Sequence, residues 1–388
     1  MRLCFVQFGD MKATLERRQS GLAATYRAQY YSVDYVVELA RTLENCTVIS
    51  VDAESDYQAS QEGLELRGFK YYSGQGPERL QSSLEEACPT HIVVRTPLFE
   101  VFDYAKRHGA KVFPLLADSF LASGWSPRDI KARFNAWRLA RALNDPMIDV
   151  VANHNVAACR DLVRIGVQHQ KIIPWDWPSE KTPSDYEPRA LPSGGPFRML
   201  YVGGVIEAKG VGDAIEAFAG SQWIRDNCRL DIVGAGNGMD DLKRTAASVA
   251  TPDSIVFHGK QPNHIVLEMM REASLVLVPS WHEYSEGLPG TIYEALTVRT
   301  PIIMSDHPMF LAYLTDNQGV AFVPEKDPAA IASRAEQLLT DPSAYQALSE
   351  TTSAAFDRIR CPNLWHEVLG AWLKGDPDKY LQSRLGKW

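Results

Sequence analysis

The chain has 388 residues, of which 45% are hydrophobic, and its formal net charge is −8 at pH 7. This length exceeds one ordinary hydrophobic core and the apolar content is that of globular proteins, so composition predicts two packed domains and excludes wholesale disorder. The acidic balance argues against a general nucleic-acid-binding protein, whose surface is broadly basic.

The cysteines and the N-terminal sequence indicate the cellular compartment in which the protein is expected. Six cysteines lie far apart with no C-x-x-C pair, which favours reduced, buried thiols over zinc ligands or disulfides. The first apolar run stops at Gly9 and Asp10, too early for a signal peptide, and no run is long enough to span a bilayer. We therefore expect a cytoplasmic protein, with peripheral contact to the inner face of a membrane as an open alternative.

Short β-rich runs alternate with longer helical stretches along the whole chain. In the first half the predicted strands are Arg2–Phe8, Cys46–Val51, Phe69–Tyr72, His91–Arg95, Lys111–Leu116, Val150–Asn153 and Lys171–Trp175. In the second half they are Met199–Val202, Leu230–Val233, Ile255–His258, Leu275–Val278, Pro301–Met304 and Val320–Val323. Most are continuously apolar, as strands covered by helices on both faces are, and the alternation predicts parallel sheets joined by right-handed crossovers.

A proline- and glycine-rich stretch separates the two series of strands. Neither sheet can run through it, so we interpret residues 179–196 as an interdomain linker. The fold class predicted is α/β, with Rossmann-like parallel-sheet domains at 1–178 and 197–365 that face a cleft. Residues 366–388, rich in Trp, Leu and Lys, are expected to form a helix that packs back on the first domain.

Two glycine-containing turns follow strands of the second half. Gly203 and Gly204 precede Lys209, and glycines let backbone amides approach a phosphate while a lysine supplies charge. A glycine turn with a solvated lysine is the alternative. The turn from Gly234 to Gly238 fails the G-x-G-x-x-G spacing of a dinucleotide site, so a tight strand–helix turn is an equal interpretation.

A third segment, from Ser280 to Leu296, carries two glutamates. Glu286 and Glu294 flank a Gly/Pro-containing loop and a helix predicted to start near Gly290 or Thr291. The helix N-terminus offers unpaired N–H groups suited to a diphosphate, and the carboxylates can accept hydrogen bonds from sugar hydroxyls. Taken alone, the two glutamates could equally be surface charges beside a helix.

In this order, the segments resemble the retaining glycosyltransferases of family four, which have the GT-B fold. The likeness covers nearly all of Met199–Thr340. The matching positions are Val202-Gly203 with Lys209-Gly210, Val233-Gly234-Ala235-Gly236, Pro279-Ser280, Glu286-Gly287 with Glu294-Ala295, and Pro301 with Ser305.

The resemblance implies a retaining transferase that moves a sugar from a nucleotide-diphosphate donor to a glycan or lipid-linked acceptor, in polysaccharide or glycoconjugate biosynthesis. It implies that Glu294 binds the ribose, Glu286 the donor sugar and Lys209 the diphosphate. The first domain would then bind the acceptor and the second the donor. The donor-binding set is Gly203, Gly204, Lys209, Gly234, Lys260, Gln261, Glu286, Gly287, Leu288, Pro289, Gly290, Thr291 and Glu294; the catalytic set is Glu286, Lys209 and Asp118.

Two departures from the family pattern leave an alternative open. Gly204 stands where the family often has arginine, and the first half has no Gly-Gly before its first helix. A non-catalytic subunit that binds a nucleotide sugar or glycan on the same fold is therefore the second hypothesis. The D-x-D at Asp376–Asp378 lies in the tail and is typical of a turn, so we expect no metal cofactor.

The acceptor side offers two candidate features. Asp118 follows the strand Lys111–Leu116 and is placed to orient an acceptor hydroxyl. Residues 125–143 interleave basic and aromatic side chains on a predicted helix. Such a helix can lie on an anionic membrane surface, or it can be an ordinary amphipathic helix whose aromatic side chains enter the core.

Overall fold

A computed structural model describes residues 1–24, 29–117, 120, 127–249, 251, 253–284, 288–361 and 363–376. The chain divides into two compact units. The first unit holds the described residues as far as Pro178 and those from Cys361 onward, and the second unit runs from Ser179 to Arg360.

The first unit is built on an eight-stranded sheet of order β3-β4-β2-β1-β5-β6-β7-β8. Its strands are β1 (Arg2–Gln7), β2 (Asn45–Ser50), β3 (Asp52–Gln61), β4 (Leu64–Lys70), β5 (His91–Val94), β6 (Lys111–Leu116), β7 (Val151–His154) and β8 (Ile172–Trp175). Its first helices are α1 (Met11–Gln19), α2 (Gln29–Ala40), α3 (Gly76–Ala87), α4 (Phe99–His108), α5 (Pro127–Leu143) and α6 (Asn155–Arg164).

Both faces of this sheet are covered by apolar packing. Successive residues of β1 point to opposite faces, so Leu3 and Phe5 join one buried cluster while Cys4 and Val6 join the other. The same division explains why the strands are continuously apolar in the sequence.

One hairpin departs from the expected parallel pattern. β3 pairs antiparallel with β4 through a two-residue turn, Glu62-Gly63, and both turn residues have positive φ, as the hairpin turn of type I′ requires. The predicted strand Phe69–Tyr72 is wrong in its bounds, because the strand is Leu64–Lys70. β3 was not predicted because it is a polar, largely exposed edge strand without a continuous apolar run.

The second unit has a six-stranded parallel sheet of order β11-β10-β9-β12-β13-β14. Its strands are β9 (Phe197–Val202), β10 (Cys228–Val233), β11 (Ile255–Gly259), β12 (Leu275–Val278), β13 (Ile302–Ser305) and β14 (Val320–Val323). Its helices are α7 (Val211–Gly220), α8 (Gln222–Asn227), α9 (Met239–Val249), α10 (Asn263–Glu272), α11 (Gly290–Thr297), α12 (Pro308–Leu311), α13 (Pro328–Thr340), α14 (Pro342–Glu350) and α15 (Thr352–Ile359).

The last described helix, α16 (Trp365–Leu373), belongs to the first unit. Trp365 and Leu369 are fully buried in the same cluster as Phe5 of β1. The Trp372 ring stacks on Phe113 of β6 at 5.1 Å between centroids. The helix is shorter than the predicted 366–388, of which residues 377–388 lie outside the described part of the chain.

Candidate functional site

The strand order of the second unit creates a topological switch point between β9 and β12. The sheet grows in one direction from β9 through β10 to β11, and in the other from β12 through β13 to β14. In open parallel sheets, ligands bind beyond the carboxyl ends of the strands at such a point. We therefore expect a ligand site at the loops that follow β9 and β12.

These two loops are in direct contact. The Trp281 backbone N–H, after β12, donates to the carbonyl of Ala208, after β9, at 2.9 Å. The Thr291 hydroxyl, in the first turn of α11, donates to the carbonyl of Val202 at 3.1 Å. The lysine-bearing loop and the start of α11 are thus held against the same strand ends.

Two glycines are required by how closely the backbones approach. Gly234 has φ +144°, and a Cβ there would lie 1.8 Å from the carbonyl oxygen of Gly203. Gly210 has φ +69°, and a Cβ there would lie 2.0 Å from the carbonyl oxygen of Pro279. No side chain fits such distances, so the glycines bring the loops after β9, β10 and β12 together.

Gly204 is different, because its surroundings do not require glycine. An added Cβ would have no heavy atom of another residue within 4 Å, and its φ is not in the left-handed region. The position where the resembling family often has arginine is therefore open enough for a Cβ.

Lys209 ends a short 3₁₀ turn, Glu207–Lys209, and is half-buried. Its Nζ lies 4.9 Å from the ring centre of Tyr284, a geometry in which the ring face attracts the cation. Lys209 and Tyr284 come from the two contacting loops, so the predicted cation is at the switch point. Glu286 and Gly287, predicted with it, lie outside the described residues, as does Asp118.

The start of α11 presents its first N–H groups without a side-chain cap. Pro289 precedes the helix and has no side chain able to accept a hydrogen bond. Gly290 is exposed, whereas Leu288 is buried and anchors the approach to the helix. A helix end of this kind carries partial positive charge suited to an anion.

Glu294 lies in α11, is half-buried, and accepts a hydrogen bond from Asn263 Nδ2 at 2.6 Å. Sequence reasoning missed Asn263, which is the first residue of α10 and follows the predicted Lys260 and Gln261 by only two positions. Lys260 is exposed, and the Gln261 amide donates to the carbonyl of His258 at 2.7 Å. The amide of Asn263 fixes one oxygen of the Glu294 carboxylate.

His258 is engaged within the sheet. β11 has a register shift that leaves His258 unpaired opposite β10, and its Nε2 lies 2.6 Å from Asp231 Oδ1. Its carbonyl accepts from Gln261, so both its backbone oxygen and its Nε2 already have partners within the second unit.

A set of contacts not found from sequence anchors the loop after β12. Trp281 Nε1 donates to Asp213 Oδ2 at 2.7 Å. His282 Nε2 lies 2.8 Å from Asp306 Oδ1, and its Nδ1 lies 3.1 Å from Glu325 Oε1. Burial raises the pKa of Asp213, and the hydrogen bond from Trp281 opposes that rise. No local motif marks these residues, since they follow four different strands.

Within the described residues, no three His, Cys, Asp or Glu side chains are gathered in a way that would hold a metal ion. None of the described helices has both the length and the apolar character needed to cross a bilayer.

Residues 185–354 match the family model for glycosyl transferases, group 1. Through this segment, which is less than half of its length, the chain is similar to that family. The chain is 30% identical over 161 residues to TuaC of Bacillus subtilis, a protein named for teichuronic acid biosynthesis. That match covers 41% of this chain and 38% of TuaC. It is 29% identical over 141 residues to the amylovoran biosynthesis glycosyltransferase AmsK of Erwinia amylovora, covering 36% and 35%. The matched segment therefore spans well under half the length of these relatives.

Two solved structures share the fold over nearly the whole chain. Anabaena HepE in complex with UDP aligns with a TM-score of 0.65 at 12% identity, covering 97% of this chain and 100% of that one. WaaG, a glycosyltransferase involved in lipopolysaccharide biosynthesis, aligns with a TM-score of 0.65 at 17% identity, covering 96% and 100%. The predicted GT-B fold class, with two α/β parallel-sheet domains, is confirmed.

Proposed function

We propose that this protein is a retaining glycosyltransferase that moves a sugar from a nucleoside-diphosphate donor to a glycan or lipid-linked acceptor. The observation that carries the proposal is the meeting of Lys209, the uncapped start of α11 and Glu294 at the β9/β12 switch point. Relatives named for teichuronic acid and amylovoran biosynthesis favour a role in polysaccharide synthesis. HepE structures with UDP and with UDP-glucose favour a nucleotide-sugar donor.

In the proposed reaction the bond between the anomeric carbon and the phosphate oxygen breaks while a bond to the acceptor oxygen forms. Negative charge grows on the departing diphosphate, and Lys209 and the N–H groups of α11 are preorganised to stabilise it. Glu294 binds the ribose hydroxyls and Glu286 those of the donor sugar. The acceptor attacks on the face that the diphosphate leaves, a phosphate oxygen takes its proton, and Asp118 orients its hydroxyl.

Nucleotide binding is the first test. Thermal unfolding with UDP, GDP or ADP should reveal one nucleotide that raises the melting temperature, because a ligand that binds the native state stabilises it by mass action. Glu294→Gln should remove most of that rise, since the amide is a poorer acceptor for two hydroxyls. Glu268→Gln, at an exposed position of α10, is the matched control and should respond like the wild type.

Turnover of the matched nucleotide sugar is the second step. Lys209→Ala should lower transfer or donor hydrolysis by about 10²–10³-fold, the usual loss on removing one charge-stabilising group, whereas Lys243→Ala in α9 should not. We also propose that no metal ion is needed, so EDTA should leave the rate unchanged. Loss of activity in EDTA with recovery in Mg²⁺ would refute that part.

The second candidate is a non-catalytic binding subunit, favoured by the open position at Gly204. One cation that the resembling family often places beside the diphosphate is absent there. This alternative predicts stabilisation by a nucleotide without any turnover of the corresponding donor. Turnover that depends on Lys209 would exclude it.

A further inference from the structure

One face of α5 exposes large apolar side chains. Ile130, Phe134 and Trp137 are 57%, 56% and 53% exposed. Their spacing of four and then three residues places them in one stripe along the helix. Leu139 and Leu143 are buried and lie on the opposite side, so the stripe is not the side with which the helix packs on its own core.

Cations border this stripe. Lys131 and Arg133 are exposed, and Arg141 lies 5.9 Å from the Trp137 ring centre. Arg138 lies 4.1 Å from the ring centre of Phe99 in α4. Phe134 and Trp137 stack on each other at 5.8 Å.

The stripe continues into a groove of about 360 Å³ between α4 and α5. Apolar side chains and three cations line it, together with the carboxylates of Asp103 and Asp145. Asp145 lies 3.4 Å from Lys106 across the groove, so one of the two acids is already matched. The balance along this face is positive, in a chain whose formal net charge is −8.

The charge pattern distinguishes between two possible partners of this face of α5, a second copy of the chain and a lipid surface. A second copy related by a two-fold axis would bring this basic face against itself, and like charges would oppose one another. An anionic lipid surface complements both features. Aromatic side chains are favoured at the depth of the headgroups, and lysine and arginine bind lipid phosphates beside them.

We propose that the exposed face of α5 docks on the surface of an anionic lipid bilayer. Ile130, Phe134 and Trp137 enter the interfacial layer, and Arg133, Arg138 and Arg141 contact lipid phosphates. This docking does not require sugar transfer, so it and the proposed function fail separately. Where both hold, the enzyme is brought to the surface that carries a lipid-linked acceptor.

Flotation of the full chain with vesicles tests the proposal. The wild type should float with vesicles of phosphatidylcholine mixed with phosphatidylglycerol, but not with phosphatidylcholine alone, and added salt should reduce the bound fraction. The double variant Phe134→Ser, Trp137→Ser should lower the partition coefficient at least about tenfold. The triple variant Arg133→Glu, Arg138→Glu, Arg141→Glu should do the same.

Matched controls come from the second unit. Leu311→Ser removes an apolar side chain that is 51% exposed. Lys243→Glu, Arg244→Glu and Arg334→Glu together change the net charge as much as the α5 triple variant does. Both controls should float like the wild type, and unchanged thermal unfolding of the α5 variants would show that they are folded.

Three results would overturn the proposal. The first is a wild type that does not float with phosphatidylglycerol vesicles, and the second is an α5 variant that floats as well as its control. The third is wild-type self-association in sedimentation that the Phe134→Ser, Trp137→Ser variant abolishes without any effect of lipid. That last result would assign the face to contact between copies.

Discussion

Asp231, in the middle of β10, is a buried carboxylate shared among three strands. It accepts from Arg229 at 2.7 Å on its own strand, from Arg198 of β9 at 3.2 Å, and lies 2.6 Å from His258 of β11. Burial on its own would raise the pKa of this carboxyl. The hydrogen bonds from His258 and Arg229, with the nearby guanidinium charges, outweigh burial and hold the pKa below its usual value.

The lowered pKa fixes the sign of a pH effect on stability. A carboxyl with a lower pKa in the folded state stabilises the fold above its unfolded pKa, near 3.9, and that stability is lost as pH falls through the folded value. We expect Asp231→Asn to cost about 2–4 kcal/mol at pH 7, because it leaves buried donors and charge unmatched. Urea unfolding of both proteins from pH 7 to acid should show the difference shrinking below about pH 4; a constant difference would contradict it.

At the residue scale, the sequence predicts site positions whose signal is local. Lys209 lies in the loop after β9 and Glu294 in α11, and the structure holds this loop and the start of α11 against the same strand ends. Asn263, Trp281 and His282 act through partners on other strands, so no spacing along the chain indicates them. The difference lies in whether a residue's role is fixed by its own segment or by the sheet order.

At the level of elements, continuous apolar runs predicted the central strands well, because burial on both faces demands them. The same rule fails for the edge hairpin of β3 and β4, because an edge strand needs neither face fully apolar and so has no continuous apolar run. The loop after β12 shows a further limit. Its position depends on contacts of Trp281 with α7 and of His282 with the ends of β13 and β14.

We expect His282 to position this loop for the donor. His282→Ala removes both carboxylate contacts, so the loop between β12 and α11 should hold the nucleotide less well. The dissociation constant of the matched nucleotide, measured by calorimetry, should rise about tenfold, equivalent to the loss of about 1.4 kcal/mol, with little change in melting temperature. His264→Ala, at an exposed position of α10, should bind like the wild type; equal affinities for the two variants would show that the loop needs no such anchor.

At the scale of the whole molecule, the described part of the chain passes from the first unit to the second after Pro178 and returns after Arg360. The sequence indicates the first passage by its prolines and glycines. The second has no comparable signal, because the change from α15 to α16 occurs within a few residues. What identifies α16 is its composition, since Trp365, Leu369 and Trp372 would be costly to leave in water and the first unit buries them.

Because α16 packs in the first unit, a destabilising substitution in α16 should lower the stability of the first unit and not that of the second. Trp365 is fully buried, packs on Tyr35 and Trp177 at 5.6 and 5.5 Å between ring centroids, and has no hydrogen-bond partner for its Nε1 within the described residues. Trp365→Ala therefore removes packing and the contact of the ring with the Arg95 guanidinium, 5.8 Å from its centre, and should cost about 3–5 kcal/mol. Hydrogen exchange should lose protection in β1, β2 and β6 but keep it in β9 to β14, while Phe356→Ala, which empties a buried site of the second unit, should give the reverse. Equal loss in both units from either change would mean that they unfold together, because local opening would then be as costly as global unfolding.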